Sequence, residues 1–121
     1  MTTEKQQLGA SGEDIAVNFY LSQKYTILER NWRYGHLEID IIAQNADCVV
    51  FCEVKTRSSA KVATPESSVT TQKQRNLIKA ANYYMTFKRI SKEVQFDIIS
   101  IVIQSNNHTL EHIGNAFTAR W

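Results

Sequence analysis

The chain has 121 residues, of which 43% are apolar and 21% charged. That is the composition of one soluble domain, residues 1–121, large enough to bury a core. No apolar run approaches the ~20 residues of a membrane-spanning helix, and the polar start from Met1 to Gln7 lacks the apolar stretch of a signal peptide. A cytoplasmic protein without membrane contact is expected.

The net charge of +2 hides an uneven distribution. From Lys55 to Lys92 nine basic residues (Lys55, Arg57, Lys61, Lys73, Arg75, Lys79, Lys88, Arg89 and Lys92) stand against one acid, Glu66. Asymmetry of this kind fits a polyanionic partner, and it fits a solvated helix surface equally well.

Taken in chain order, the first element is a helix starting near Ser11. Ser11 as N-cap with Asp14 three residues later resembles a capping box in weak form, and Ile15, Ala16, Phe19 and Tyr20 supply the apolar face. The helix ends before Tyr25. Thr26 to Trp32 reads as a first strand, Tyr34-Gly35 as a turn and Leu37 to Ala43 as a second strand. Asn45-Ala46-Asp47 turns the chain into a third strand, Cys48 to Lys55. Connections this short force the three strands into an antiparallel meander.

Ser58 to Ser68 is polar, holds the only proline, Pro65, and reads as a loop. A second helix is expected from Thr71 to Arg89, with Leu77, Ala81, Tyr84 and Met85 facing the core. Val94 to Ile103 is a strong strand, and Thr109 to Ile113 with a short tail closes the domain. The strand after the second helix can run parallel to the meander's inner strand. The fold class is therefore α/β: an αβββαβ core in which a mixed sheet is flanked by helices.

Cys48 and Cys52, four apart on one strand, have Cα atoms ~13 Å apart at ~3.3 Å per residue. A disulfide needs ~7 Å or less, so both are expected as buried thiols. His108 and His112 have the spacing of a helical metal pair. They lie beside a turn between extended segments, where that spacing does not bring them together, and no metal role is expected for either.

Chemistry is suggested by the third strand, nearly pure hydrocarbon until Glu53 and Lys55. Strand alternation points Val49, Phe51, Glu53 and Lys55 one way and Val50, Cys52 and Val54 the other. On the second strand Glu38 and Asp40 share one face, and Leu37, Ile39 and Ile41 the other. Buried charges are costly unless paired or bound to a cation. Asp40 and Glu53, near the ends of strands ~4.8 Å apart, can present carboxylates to one point. Such oxygen ligands suit Mg²⁺. Lys55 lies beside that point, where an ammonium can orient a water or neutralise charge on a reacting phosphoryl group. Glu13, one turn into the first helix, can supply a third acid. The structural alternatives are a same-face Glu53–Lys55 salt bridge, a solvated Asp40, and a Glu13 favoured only by the helix dipole. Glu38 reads as structural.

These residues resemble the motifs of the PD-(D/E)XK, or restriction-endonuclease-like, nuclease superfamily, and within it the YraN-type proteins, similar to archaeal Holliday-junction resolvases. The motifs run in order along nearly the whole chain: Gly9-Ala10-Ser11-Gly12-Glu13-Asp14-Ile15-Ala16, Arg30-Asn31-Trp32-Arg33, Glu38-Ile39-Asp40-Ile41-Ile42-Ala43, Phe51-Cys52-Glu53-Val54-Lys55-Thr56-Arg57 and Phe96-Asp97-Ile98-Ile99. One departure is visible. Leu37 precedes Glu38 where that family usually has glycine, and Gly35 is displaced by two positions.

The resemblance implies metal ligation by Asp40 and Glu53, Lys55 as the catalytic lysine, and Glu13 as the helix acid of resolvases. The expected activity is Mg²⁺- or Mn²⁺-dependent hydrolysis of phosphodiester bonds in structured DNA, junction or branched, with Arg57, Lys61, Lys73, Arg75 and Lys79 on phosphates. A homodimer with two active sites is the further implication. The competing reading is a nucleic-acid-binding or partner-docking module that keeps the nuclease fold without turnover. Nothing separates DNA from RNA decisively, and Trp32 and Tyr34 read as well as core or turn residues as base-stacking platforms.

Overall fold

The computed structural model describes residues 4–58 and 69–119, with side chains from Ser11 onward. The elements are α1 (Glu4–Ser22), β1 (Thr26–Tyr34), β2 (Leu37–Gln44), β3 (Cys48–Arg57), α2 (Thr71–Phe87), β4 (Glu93–Gln104) and β5 (Asn107–Phe117). The expected loop from Ser58 to Ser68 falls almost wholly outside the described residues.

The five strands form one sheet in the order β1-β2-β3-β4-β5. Neighbours are antiparallel except β3 and β4, which pair in parallel from Cys48↔Glu93 to Arg57↔Val102. The parallel partner of β4 is thus the last strand of the meander, which α2 connects to it. The two helices cover opposite faces. Ala16 and Tyr20 of α1 pack with Ile41, Ala43, Val50, Cys52, Ile99 and Ile101. Leu77, Ala80, Ala81, Tyr84 and Met85 of α2 pack with Leu37, Ile39, Ile42, Phe51, Phe96 and Ile98. Both cysteines are buried thiols.

The start of α1 differs from expectation. Helix-favouring Glu4, Lys5, Gln6, Gln7 and Leu8 carry it well upstream of Ser11, which lies inside the helix rather than capping it. Asp14 accepts a hydrogen bond from Arg30 at 2.8 Å instead of closing a capping box. Gly12 stands inside this unbroken helix for a steric reason. It is buried against β3, and a Cβ there would overlap the Thr56 side chain. Glu13 is therefore mid-helix, which removes the helix-dipole account of it.

Both helices end in the same motif. Lys24 and Arg89 take left-handed φ values of 67° and 55°. The following amides, Tyr25 and Ile90, each donate 3.0 Å hydrogen bonds back to Tyr20 and Met85, a Schellman closure. α2 accordingly ends at Phe87, two residues before the expected Arg89.

A second difference shapes the site. Ile39 packs on the α2 side and Ile41 on the α1 side, so the expected common face for Leu37, Ile39 and Ile41 is not found. The alternation slips at Asp40. Backbone pairing between β2 and β3 reaches only Ile41↔Cys52, and the next available amide, that of Val54, donates to the Asp40 carboxylate at 2.8 Å. Across the hairpin Asn31 has φ 52°, between the Arg30↔Ile41 and Trp32↔Ile39 pairs. The displaced glycine, Gly35 at φ 62°, serves the tight turn. Leu37 thereby opens β2 opposite Tyr34, and it is buried.

Candidate active site

Asp40 and Glu53 line one cleft of about 480 Å³, together with His36, Glu38, Thr70, Gln72, Lys73 and Asn76. Asp40 sits in the first half of β2 and Glu53 late in β3, as antiparallel neighbours must for their carboxylates to meet. Glu53 is only 5% exposed, a charge carried inside the protein. Two ammonium groups address its Oε1: Lys73 Nζ at 2.5 Å and Lys55 Nζ at 3.5 Å.

Lys73 arrives from the opposite side of the cleft, in the first turn of α2. Thr70 caps that helix, its hydroxyl accepting from the Lys73 amide at 3.2 Å. No acid occupies the first turn, so a cation there opposes the helix dipole. A buried carboxylate facing it offsets that cost. Sequence reading placed Lys73 among phosphate contacts; a lysine against the dipole was the available sign of a nearby acid.

The two lysines are driven apart electrostatically. Burial, with the Lys73 ammonium beside it, holds Lys55 below its ordinary lysine range. Burial also opposes the charge on Lys73, but the hydrogen bond and charge of Glu53 outweigh it and hold Lys73 above its ordinary value. Asp40 is pushed up to about 7, first by burial and then by the Glu53 carboxylate, against the pull of the Val54 amide. Glu13 and Glu38 add to that push.

Glu13 approaches from the α1 side of the sheet. It lies 4.0 Å from Arg30 and bonds Asn31, and burial raises its pKa despite both. It is not among the residues lining the cleft. Glu38 lines the cleft with its carboxylate 3.1 Å from Arg33. Arg57 closes β3 opposite Val102. Arg75 and Lys79 lie on another flank of α2, where with Ile78 and Phe117 they border a separate cleft of about 600 Å³. Lys61 lies outside the described residues.

Asp40 makes stability pH-dependent in a direction unusual for a carboxylate. Its folded pKa is raised, so the folded state binds the proton more tightly than the unfolded chain does. Stability is then lost as pH rises from its unfolded value, 3.8, to about 7. At ~1.4 kcal/mol per pKa unit the ceiling is about 4 kcal/mol. Asp40→Asn, whose amide oxygen can still accept from Val54, is expected to be more stable than wild type at pH 8 in EDTA. The difference should close near pH 4 in urea titrations. Equal curves at both pH values would show that the Asp40 carboxyl is not held in this environment.

A second polar cluster, absent from the sequence reading, surrounds Asp97 of β4, which is 1% exposed. It accepts from the Tyr20 hydroxyl at 2.7 Å, Gln95 Nε2 at 2.9 Å and the Asn115 amide at 3.0 Å, and it meets His112 Nε2 at 2.7 Å. Burial alone would raise Asp97, but these partners hold it below the usual carboxylate range.

A five-stranded mixed sheet between two helices, with Asp40, Glu53 and Lys73 lining one cleft and Lys55 reaching Glu53 from β3, defines an α/β domain of the αβββαβ class. The chain belongs to Uncharacterised protein family UPF0102, whose profile matches residues 12–101. A UPF0102 protein of Bacteroides fragilis is 42% identical over 114 residues, 94% of each chain. One from Bacteroides thetaiotaomicron is 40% identical over the same share of both chains. One from Geobacter metallireducens is 41% identical over 118 residues, 97% of each chain. No described helix is long and apolar enough to cross a membrane.

Proposed function

We propose that this protein is a divalent-metal-dependent nuclease acting on structured DNA, with Asp40 and Glu53 holding Mg²⁺ or Mn²⁺. The observation that carries the reading is geometric: Asp40 and the buried Glu53 line one cleft, where burial and the neighbouring carboxylate both disfavour the charged form of Asp40. A cation between the two relieves that repulsion, and hard oxygen donors fit it. Among the described residues no group of three His, Cys, Asp or Glu side chains is placed to hold a metal. Two carboxylates suffice for Mg²⁺, which usually keeps waters and takes phosphate oxygens as its other ligands.

A metal held there supplies Lewis-acid polarisation of the phosphoryl group and a bound water of lowered pKa. The protein's own groups do the remainder. Lys73, kept charged by Glu53, is a fixed cation for phosphoryl oxygens entering from the α2 side. Lys55, with its lowered pKa, is the better placed to exchange a proton with the attacking water. The N-terminus of α2, whose Thr70, Gln72 and Lys73 border the cleft, adds the positive end of its dipole. Glu13 supports the site from the α1 side by steering Arg30 and Asn31. Arg57, Lys61, Arg75 and Lys79 extend the positive field along the DNA, and a homodimer would present two such sites to two strands.

The test is a cleavage panel of duplex, flap, junction and single-stranded DNA and RNA, with Mg²⁺ or Mn²⁺ against EDTA. Metal-dependent cleavage by wild type that Glu53→Gln abolishes is expected. Tight binding of these substrates without cleavage of any would overturn the enzymatic reading in favour of a binding module.

A further inference from the structure

A stack of aromatic rings runs from Tyr34, which packs against the core, out along the flank of α2 to solvent. Tyr34, from the end of β1, stacks on Tyr83 with centroids 3.9 Å apart and planes within 12°. Tyr83 stacks in turn near Phe87, at 5.9 Å and 7°. Phe87 is 65% exposed and Tyr83 40%. Phe87 thus ends a parallel ladder with most of its ring accessible to a ligand that can stack on it.

Three observations say what covers it. The ring planes are nearly parallel, as successive bases in a strand are, whereas a general apolar contact imposes no such order. The flank is basic: α2 contains no Asp or Glu from Thr71 to Phe87, and Lys88 Nζ lies 5.9 Å from the Phe87 ring. Glu29, on β1, accepts from the Tyr84 hydroxyl at 3.3 Å. The ladder also adjoins the carboxylate cleft: Tyr34 pairs with Leu37, which lines that cleft beside His36. On α2, Lys73 and Asn76 border that cleft, Ala80 on the same stripe is buried, and Tyr83 and Phe87 are exposed beyond it. Tyr83 lies ten residues beyond Lys73 and Phe87 fourteen, ~15 Å and ~21 Å along the axis at ~1.5 Å per residue.

We infer that the Tyr34–Tyr83–Phe87 ladder is a stacking platform for unpaired bases of DNA, leading a single-stranded segment into the Asp40–Glu53 cleft. This rests on the nuclease reading for the role of the cleft. It sharpens the substrate to DNA with an unpaired strand next to the scissile phosphate, such as a flap or a splayed branch. Base–aromatic stacking tolerates any sequence because every base has a π-face.

The experiment measures binding in EDTA, where cleavage plays no part, by fluorescence anisotropy with a labelled oligothymidylate, a flap and a blunt duplex. Stacking of ~1–3 kcal/mol per base corresponds to about a five- to 150-fold loss of affinity. Phe87→Ser, and Tyr83→Ser/Phe87→Ser, are expected to lose that much on the oligothymidylate and the flap, and less than twofold on the duplex. Phe87→Trp should bind the single strand at least as tightly as wild type. Phe87 is exposed enough that its single variant should fold, and matched thermal melts check that. Unchanged binding to the single strand, or equal losses on strand and duplex, would overturn the platform. So would a wild-type dimer in sedimentation that Phe87→Ser dissociates, since the ladder would then be buried against a second copy. A wild type that cuts nothing, yet keeps a Phe87-dependent preference for the single strand, would sink the nuclease reading and leave the platform standing. Cleavage of the flap with Phe87→Ser as fast and as tightly bound as wild type would do the reverse.

Discussion

Lys55→Ala is expected to slow cleavage by about 10²–10³-fold, the cost of losing one preorganised electrostatic group at a reacting centre, while Kd for substrate changes by less than about tenfold. The reason for the split is geometric. Lys55 acts through its 3.5 Å contact with Glu53, which lines the cleft, whereas affinity is spread over many phosphates. The two lysines around Glu53 should separate when arginine is tried. Lys73 is held charged by Glu53, so Lys73→Arg keeps its function and should recover most of the rate. Lys55 is held below its ordinary range. If its task is proton exchange, Lys55→Arg, which cannot deprotonate, should remain almost as slow as the alanine variant. Single-turnover kinetics beside anisotropy in EDTA read both quantities. Full recovery by Lys55→Arg would assign Lys55 a purely electrostatic role. An alanine variant that cuts as fast as wild type would remove it from the site.

The second large effect concerns stability and needs no assumption about activity. Asp97→Ala should destabilise the fold by about 3–5 kcal/mol, the range for removing one partner from a buried polar pair. It strands the Tyr20 hydroxyl, the Gln95 amide, the Asn115 N–H and His112 at once. For a chain of this size the melting temperature should fall by about 10–20 °C. The pH dependence runs opposite to that of Asp40. Asp97 has a depressed folded pKa, so its contribution is present above 3.8, the unfolded value, and is lost as pH falls toward the folded one. Wild type and variant should therefore converge only in acid. Convergence near neutral pH would instead locate the stabilisation in a group other than Asp97.

Much of this molecule was legible along the chain because the deciding interactions are local. Short turns mark β1, β2 and β3, and a turn as tight as the one read at Tyr34-Gly35, found one residue later at Gly35-His36, leaves antiparallel pairing as the only return path. Glu53 and Lys55 are two apart on one strand, so their common face follows from the pleat. Asp40 is one hairpin away, just beyond the last backbone pair, Ile41↔Cys52, so the turn brings it near Glu53. The helix faces at Ala16 and Tyr20, and at Leu77, Ala81, Tyr84 and Met85, follow from the 3.6-residue repeat.

What the periodicity could not carry is where one element touches another that is distant in sequence. The slip at Asp40 depends on Val54 giving its amide to a side chain, which no pattern within β2 announces. Ser11 looked like a cap because its own neighbourhood allowed one; the close approach of α1 to Thr56 at Gly12 depends on how helix and sheet cross. Lys73 reaches Glu53 only because α2 packs with its N-terminus at the cleft. Asp97 finds His112 because β5 returns beside β4, and Tyr20 because α1 covers that face. The Tyr34–Tyr83–Phe87 ladder joins a strand end to a helix flank 49 residues away. A sequence of 121 residues thus specifies its strands, its helix faces and two carboxylates by short-range geometry. The charges and rings that surround those carboxylates are set by the packing of helices on a sheet, where small changes of register decide which side chains meet.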